Sequence, residues 1–182
     1  MREEPQLSTW IAGILVRDLR ALRREVESFA DERDLWRVPP GISNSAGTLA
    51  LHLAGNIRYY IGTVLGGTGY VRDRDAEFAL RDVPRTDLLG GIDAALVAVE
   101  RGMARVRDAD LTKPYPDPPR GLAVTTRDYL IHLIAHFTYH LGQVDYHRRL
   151  LTGQPGQIQA VNFGDLVTAG DDTRRASPDW HR

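Results

Sequence analysis

No cysteine occurs among the 182 residues, and that absence removes disulfides, a cysteine nucleophile, thiolate zinc sites and iron–sulfur clusters together. Any metal must sit on His, Asp or Glu, and any sulfur that reacts must arrive on another molecule. An excess of charge of one sign is missing too: 23 Lys and Arg against 24 Asp and Glu leave a net charge of −1, too little for a DNA-coating surface, an acidic tail or a polybasic membrane anchor. No run approaches the ~18 consecutive apolar residues of a membrane span. The opening MREEPQLSTW lacks the basic-then-apolar order of a secretion signal. Neither a nucleic-acid nor a membrane partner is expected, and a cytoplasmic location is. The length falls within the ~100–200 residues of a single domain.

What is present reads as helix. Gly and Pro cluster at Pro39-Pro40-Gly41, Gly66-Gly67-Thr68-Gly69, Pro114 to Gly121 and Gly153 to Gly156, and the stretches between them carry apolar residues at helical spacing. The first helix is expected from about Leu7 to Leu35, capped by Ser8 or Thr9, with Ile11, Leu15, Leu22, Val26 and Phe29 on one face. The second runs from near Ser45 to about Leu65. The third follows Thr86 and carries Leu89, Ile92, Leu96, Val99, Met103 and Val106 in a narrow apolar seam. The fourth opens on the capping box Thr125-Thr126-Arg127-Asp128 and closes at Gly153. No alternating strand pattern competes. Four helices of roughly 20–28 residues, each ~30–42 Å long, predict an all-α antiparallel four-helix bundle. The connections before and after the third helix are long and are expected to cap a bundle end or form a lid. The bundle occupies residues 1–155. Residues 156–182 form a C-terminal extension, packed on the bundle around Val161 to Val167 or trailing from it.

Four of the six histidines lie on the fourth helix, at 132, 136, 140 and 147. At 100° per residue, His136 and His140 fall within about 60° of the Leu133, Phe137 and Val144 stripe, whereas His132 lies about 100° from Leu133. His147 returns to the stripe about two turns beyond His140. Residues four apart approach within ~5–6 Å, close enough for two imidazoles to share one ion. His52, on the edge of the Leu49, Leu53, Asn56 and Tyr60 stripe, also points inward. His52, His136 and His140 therefore compose a candidate metal site with room for water or substrate. Core histidines that merely satisfy hydrogen bonds remain the alternative. Two other metal chemistries fail on composition: Phe137 stands where an HExxH site needs its glutamate, and neither His-bearing helix has the Glu of a di-iron bundle.

The segment Leu49-Ala-Leu-His52-Leu-Ala-Gly-Asn56, followed far downstream by His136-x-x-x-His140-Leu-Gly-Gln143, resembles the DinB/YfiT-like superfamily over about residues 7 to 153. The resemblance implies an up-down-down-up four-helix bundle, a homodimer, and a Zn²⁺- or Ni²⁺-type ion on the three histidines. It also implies a thiol-dependent S-transferase or related enzyme acting on a small electrophilic substrate with a low-molecular-weight thiol cosubstrate; a hydrolase or a non-catalytic, stress-related metal-binding bundle are the alternatives. Leu141 departs from the Arg that often follows the second helical His in relatives.

Four other positions bear on the site. Asp18 falls inside the apolar stripe of the first helix and needs a partner, either the free nitrogen of a ligand His or an Arg at the bundle end. Gly142 is expected to let two helices approach closely. Gln143, beside His136, either bonds within the core or supports the site. Arg72-Asp73-Arg74-Asp75 alternates in sign and reads as a solvated loop, with Arg72 or Arg74 available to an anionic substrate.

Overall fold

A computed structural model describes residues 6–155. The extension at 156–182, including the tail expected around Val161 to Val167, lies outside the described residues. Within them the chain is all helical: α1 (Leu7–Glu27), α2 (Ala46–Ile57), α3 (Arg74–Ala79), α4 (Arg85–Met103) and α5 (Thr126–Thr152). Extended pairing among these residues amounts to one isolated bridge, Pro114 with Thr125.

Local chemistry sets where these helices begin and end. Ser45 Oγ accepts the Thr48 N–H at the start of α2, and Thr125 Oγ1 accepts the Asp128 N–H at the start of α5. Gly153 ends α5 in the left-handed conformation at φ 67°, which costs glycine little. α1 begins at Leu7 as expected but departs from expectation in its cap and at its far end. It stops at Glu27, because Ser28 turns its backbone N–H and its hydroxyl onto Arg24 O, and Asp31 then caps a separate 3₁₀ turn at Glu32–Leu35. Its start has no cap from within. Gln6 stands at the N-cap without a side-chain bond, and Ser8, expected to be a cap, instead donates its hydroxyl to Asp108, which also accepts the Leu7 and Ser8 N–H groups.

α1 and α2 each pack against both α4 and α5, so the four long helices close around one core. Leu15, Leu19, Leu22 and Val26 of α1 meet Leu53 and Ile57 of α2, Ile92 and Val99 of α4, and Leu133, Phe137 and Val144 of α5. Truncating a ring such as Phe137 to alanine in a core this closely packed costs about 3–5 kcal/mol. α2 runs on into a π-helical turn over Arg58–Thr63, whose wider winding carries the Tyr60 carbonyl to the Tyr115 hydroxyl at 2.5 Å.

The connection between α2 and α4 is solvated only in part: Asp73, Arg74 and Asp75 are exposed as expected, but the Arg72 side chain is not. The short helix α3, capped by Asp73 through the Ala76 N–H, packs on α2. It covers α2 at the turn that carries His52.

Candidate metal centre

Three histidines from two helices converge. His52 sits mid-way along α2, buried, while His136 and His140 lie one turn apart on the inward side of α5 and are half-buried. Their ring centroids are 5.2 Å (52 to 136), 5.5 Å (52 to 140) and 4.7 Å (136 to 140) apart. One nitrogen from each falls within 4.8 Å of the others, so the cluster could hold a metal ion. The spacing on α5 and the inward face of α2 are both as read from the sequence.

Hydrogen bonds decide which nitrogens are free. Glu77 Oε2 lies 3.0 Å from His52 Nδ1. A carboxylate can only accept, so Nδ1 carries the proton and Nε2 keeps its lone pair. Arg72 Nη2, 3.2 Å from the same Nδ1, is then a neighbour and not a second donor. On the other side, His140 donates Nδ1–H to Gln143 Oε1 at 2.6 Å, which leaves the His140 Nε2 lone pair free. His52 Nε2 faces His136 Nε2 at 3.3 Å. With the His136 proton on Nδ1, the two Nε2 lone pairs would face each other at a spacing that suits a cation between them.

Electrostatics agree with that reading. Burial, followed by the neighbouring His140, His52, His132 and Arg72, pushes His136 down to about 4. Burial likewise lowers His140, against the opposing pull of Gln143. Both rings are therefore neutral near pH 7, the form that ligates metal. Burial alone would raise Glu77, but the hydrogen bonds from Arg72 and His52 outweigh it and leave the carboxyl below its usual value. Arg72 holds both Glu77 oxygens at 2.7 Å, and Phe78 packs on the His52 ring with centroids 4.9 Å apart. α3 thus supplies a carboxylate and an aromatic cover to one ligand candidate.

The remaining candidates divide. Asp18 is buried as expected, but it bonds Arg17 Nε at 2.7 Å and Thr138 Oγ1 at 2.8 Å and touches no site histidine. Gln143 supports His140, not His136. Gly142 faces open space, with nothing within 4 Å of where a β-carbon would stand, so it does not mediate a close approach; Leu141 is buried beside it. Arg72 is committed to Glu77, and Arg74 lies over the Phe78 ring at 4.9 Å. His132 is exposed and stacks on Tyr129, and His147 is buried near Phe29, both outside the group of three.

Glu77 and Phe78 are the residues that sequence reasoning missed. Asp73 followed by Asp75 and Glu77 is an N-terminal helix signature that could have flagged α3.

No curated protein matches the chain. The family model described as MST, mycothiol-S-transferase, matches residues 11–153, which include all three histidines and Glu77. The chain therefore belongs to the mycothiol-S-transferase family, within the DinB/YfiT-like superfamily.

Proposed function

We propose that this protein is a metal-dependent thiol S-transferase that joins a low-molecular-weight thiol to a small electrophile. The observation that carries the reading is the convergence of His52, His136 and His140, with the outward nitrogens of His52 and His140 tied to Glu77 and Gln143. The fold behind it is a four-helix bundle of the up-down-down-up kind within residues 1–155, with α3 as an insertion. The reading extends to a homodimer in the cytoplasm, which light scattering and cell fractionation test.

A divalent ion such as Zn²⁺ or Ni²⁺ held by the three histidines would supply Lewis acidity that lowers the pKa of a thiol. The protein's own residues do the rest. Glu77 holds the His52 proton at Nδ1, Gln143 holds the His140 proton at Nδ1, and each Nε2 is thereby kept as a lone-pair donor aimed inward. Phe78 covers one face of the His52 ring and keeps water from it. With no cysteine in the chain, the nucleophilic sulfur belongs to the cosubstrate.

The test is elemental analysis of protein purified without a His tag, followed by assay with mycothiol and an uncharged aryl chloride. His140→Ala is expected to lose metal and activity while its circular dichroism stays helical, because the apolar core and not the ion supplies most of the stability. A variant that unfolds outright would point to a structural, non-catalytic ion. One that keeps metal and activity would remove His140 from the site.

A further inference from the structure

A cavity of about 520 Å³ opens between the segment following Pro40 and the last turns of α5, within the ~300–1,000 Å³ usual for small-molecule sites. His140 and Gln143 are among its lining residues, so it shares a wall with the candidate metal centre. Ile42, Leu49, Tyr146 and Leu150 give it apolar sides, and among the described residues no carboxylate, guanidinium or ammonium group lines it. The mouth is unusually apolar for a surface, with Tyr146 73% and Leu150 63% exposed.

One polar side chain in the wall stands out. His147 is 5% exposed, and neither of its ring nitrogens has a hydrogen-bond partner among the described residues. The Arg37 backbone is near enough to draw on the ring proton, yet hydrogen-bond geometry is met at neither nitrogen. A buried imidazole left in that state is unfavourable for folding, and a residue that served packing alone would gain by being apolar. Both nitrogens lie beneath the cavity wall, so a ligand supplies the missing partner when the ring turns toward the cavity.

We propose that this cavity is the electrophile subsite and that its ligands are uncharged, mainly aromatic or aliphatic electrophiles bearing one polar group, such as a nitro or carbonyl oxygen, that accepts a hydrogen bond from His147. The inference rests on the S-transferase reading. With an aryl chloride, the thiol sulfur forms a bond to the ring carbon, the carbon–chlorine bond breaks with its electron pair leaving as chloride, and the thiol proton passes to solvent.

The test separates binding from turnover. Unreactive 2,4-dinitrotoluene is titrated into labelled, metal-loaded protein and followed by NMR, with shifts expected at Leu49, His147 and Leu150. Kinetics with mycothiol then compare 1-chloro-2,4-dinitrobenzene with its anionic analogue 4-chloro-3,5-dinitrobenzoate. The uncharged substrate is expected to be favoured at least tenfold in kcat/KM. Leu150→Asp, at an exposed position, should raise KM for the uncharged electrophile about tenfold and leave bound metal and the KM for thiol unchanged. His147→Phe should weaken dinitrotoluene binding severalfold while the Tm holds or rises, opposite signs that a purely structural residue would not give. Transfer activity with no cavity shifts, with KM unmoved in both variants, or with a preference for the anion overturns the subsite while leaving S-transfer standing. A probe seated in the cavity of a protein that transfers no thiol to any electrophile overturns the S-transferase reading, and the subsite's role with it.

Discussion

Gly55 and Glu77 compete for the same space: a β-carbon on Gly55 would overlap the Glu77 carboxylate. Gly55 lies one turn after His52 on α2, so the missing side chain is what lets the carboxylate lie along the helix and reach His52 Nδ1. Gly55→Ala should therefore push Glu77 off the histidine although alanine favours helix. The expected outcome is a lower Tm together with weaker metal retention, read by chelator competition. Unchanged retention would show that α3 can shift without disturbing His52.

Glu77 itself offers a cleaner separation of shape from charge. Glu77→Gln keeps the size of the side chain but replaces a charged acceptor for the His52 N–H with a neutral one, and it leaves the Arg72 guanidinium without its counter-charge. Loss of such an outer partner commonly lowers metal affinity about ten- to a hundredfold. The same loss is expected here in a metal titration, with helix content retained. Glu77→Asp, shorter by one methylene but still charged, should recover part of the affinity.

Much of this was legible in the sequence. The period of apolar residues located α2, α4 and α5 because each is long enough to repeat its stripe several times, and the four-residue step from His136 to His140 placed both rings on one side. α3 escaped because six residues, Arg74–Ala79, complete too few turns to show a period. The same brevity hid Glu77, since a charge-alternating stretch gives no hint that Arg72 and Glu77 neutralise each other in the interior. Asp18 was correctly placed inside, and of its two open partners the structure realises an Arg, the adjacent Arg17 and not one at the bundle end, with Thr138 beside it: angle on one helix says which way a side chain points but not what waits there. The overlong first helix reflects Phe29 and Leu35, which are buried and continue the apolar pattern although the backbone has already turned at Ser28.

A second buried ion pair predicts a pH dependence. Glu25 on α1 accepts from Arg148 Nε at 2.7 Å, and its other oxygen has no hydrogen-bond partner among the described residues. Burial pushes Glu25 up to about 7 against the pull of Arg148, with Asp145 adding to the rise. An acid whose folded pKa is raised takes up protons on folding between its ordinary value near 4.5 and about 7, so its contribution is fully present below that window and is lost as pH rises through it. In thermal melts of the metal-free protein Glu25 should contribute a downward slope in Tm between about pH 5 and pH 8, superimposed on the rise that His136, His140 and His147, lowered by burial, give below about pH 6.5. Glu25→Gln, which cannot ionise, should flatten that slope. A slope identical in both proteins would assign the dependence elsewhere.

The start of α1 is held by a residue a hundred positions away. Asp108 Oδ2 accepts the Leu7 N–H at 2.9 Å, and Oδ1 accepts the Ser8 N–H at 3.1 Å and the Ser8 hydroxyl at 2.8 Å. Those N–H groups are among the four that a helix leaves open at its first turn, where the helix dipole also favours a negative charge. Asp108 therefore does the work of an N-cap and joins the α4–α5 connection to α1. The Ser8 backbone bond, against a smaller desolvation cost, and then the Ser8 hydroxyl and the Leu7 N–H hold its carboxyl below the ordinary 3.8. A lowered acid pKa contributes stability that is present above the ordinary value and is lost as pH falls through the folded one. Asp108→Ala should lower Tm by a few degrees near neutral pH, the size expected for a lost cap. The gap to wild type should close as the pH falls below about 3, where protonation removes the charge in the parent protein as well. Hydrogen exchange at Ile11 and the residues just after it should quicken in the variant, while exchange in α5 stays as it was. If the first turn of α1 exchanges at the parental rate, the helix start is held by its core contacts at Ile11 and Leu15 and the distant carboxylate is incidental.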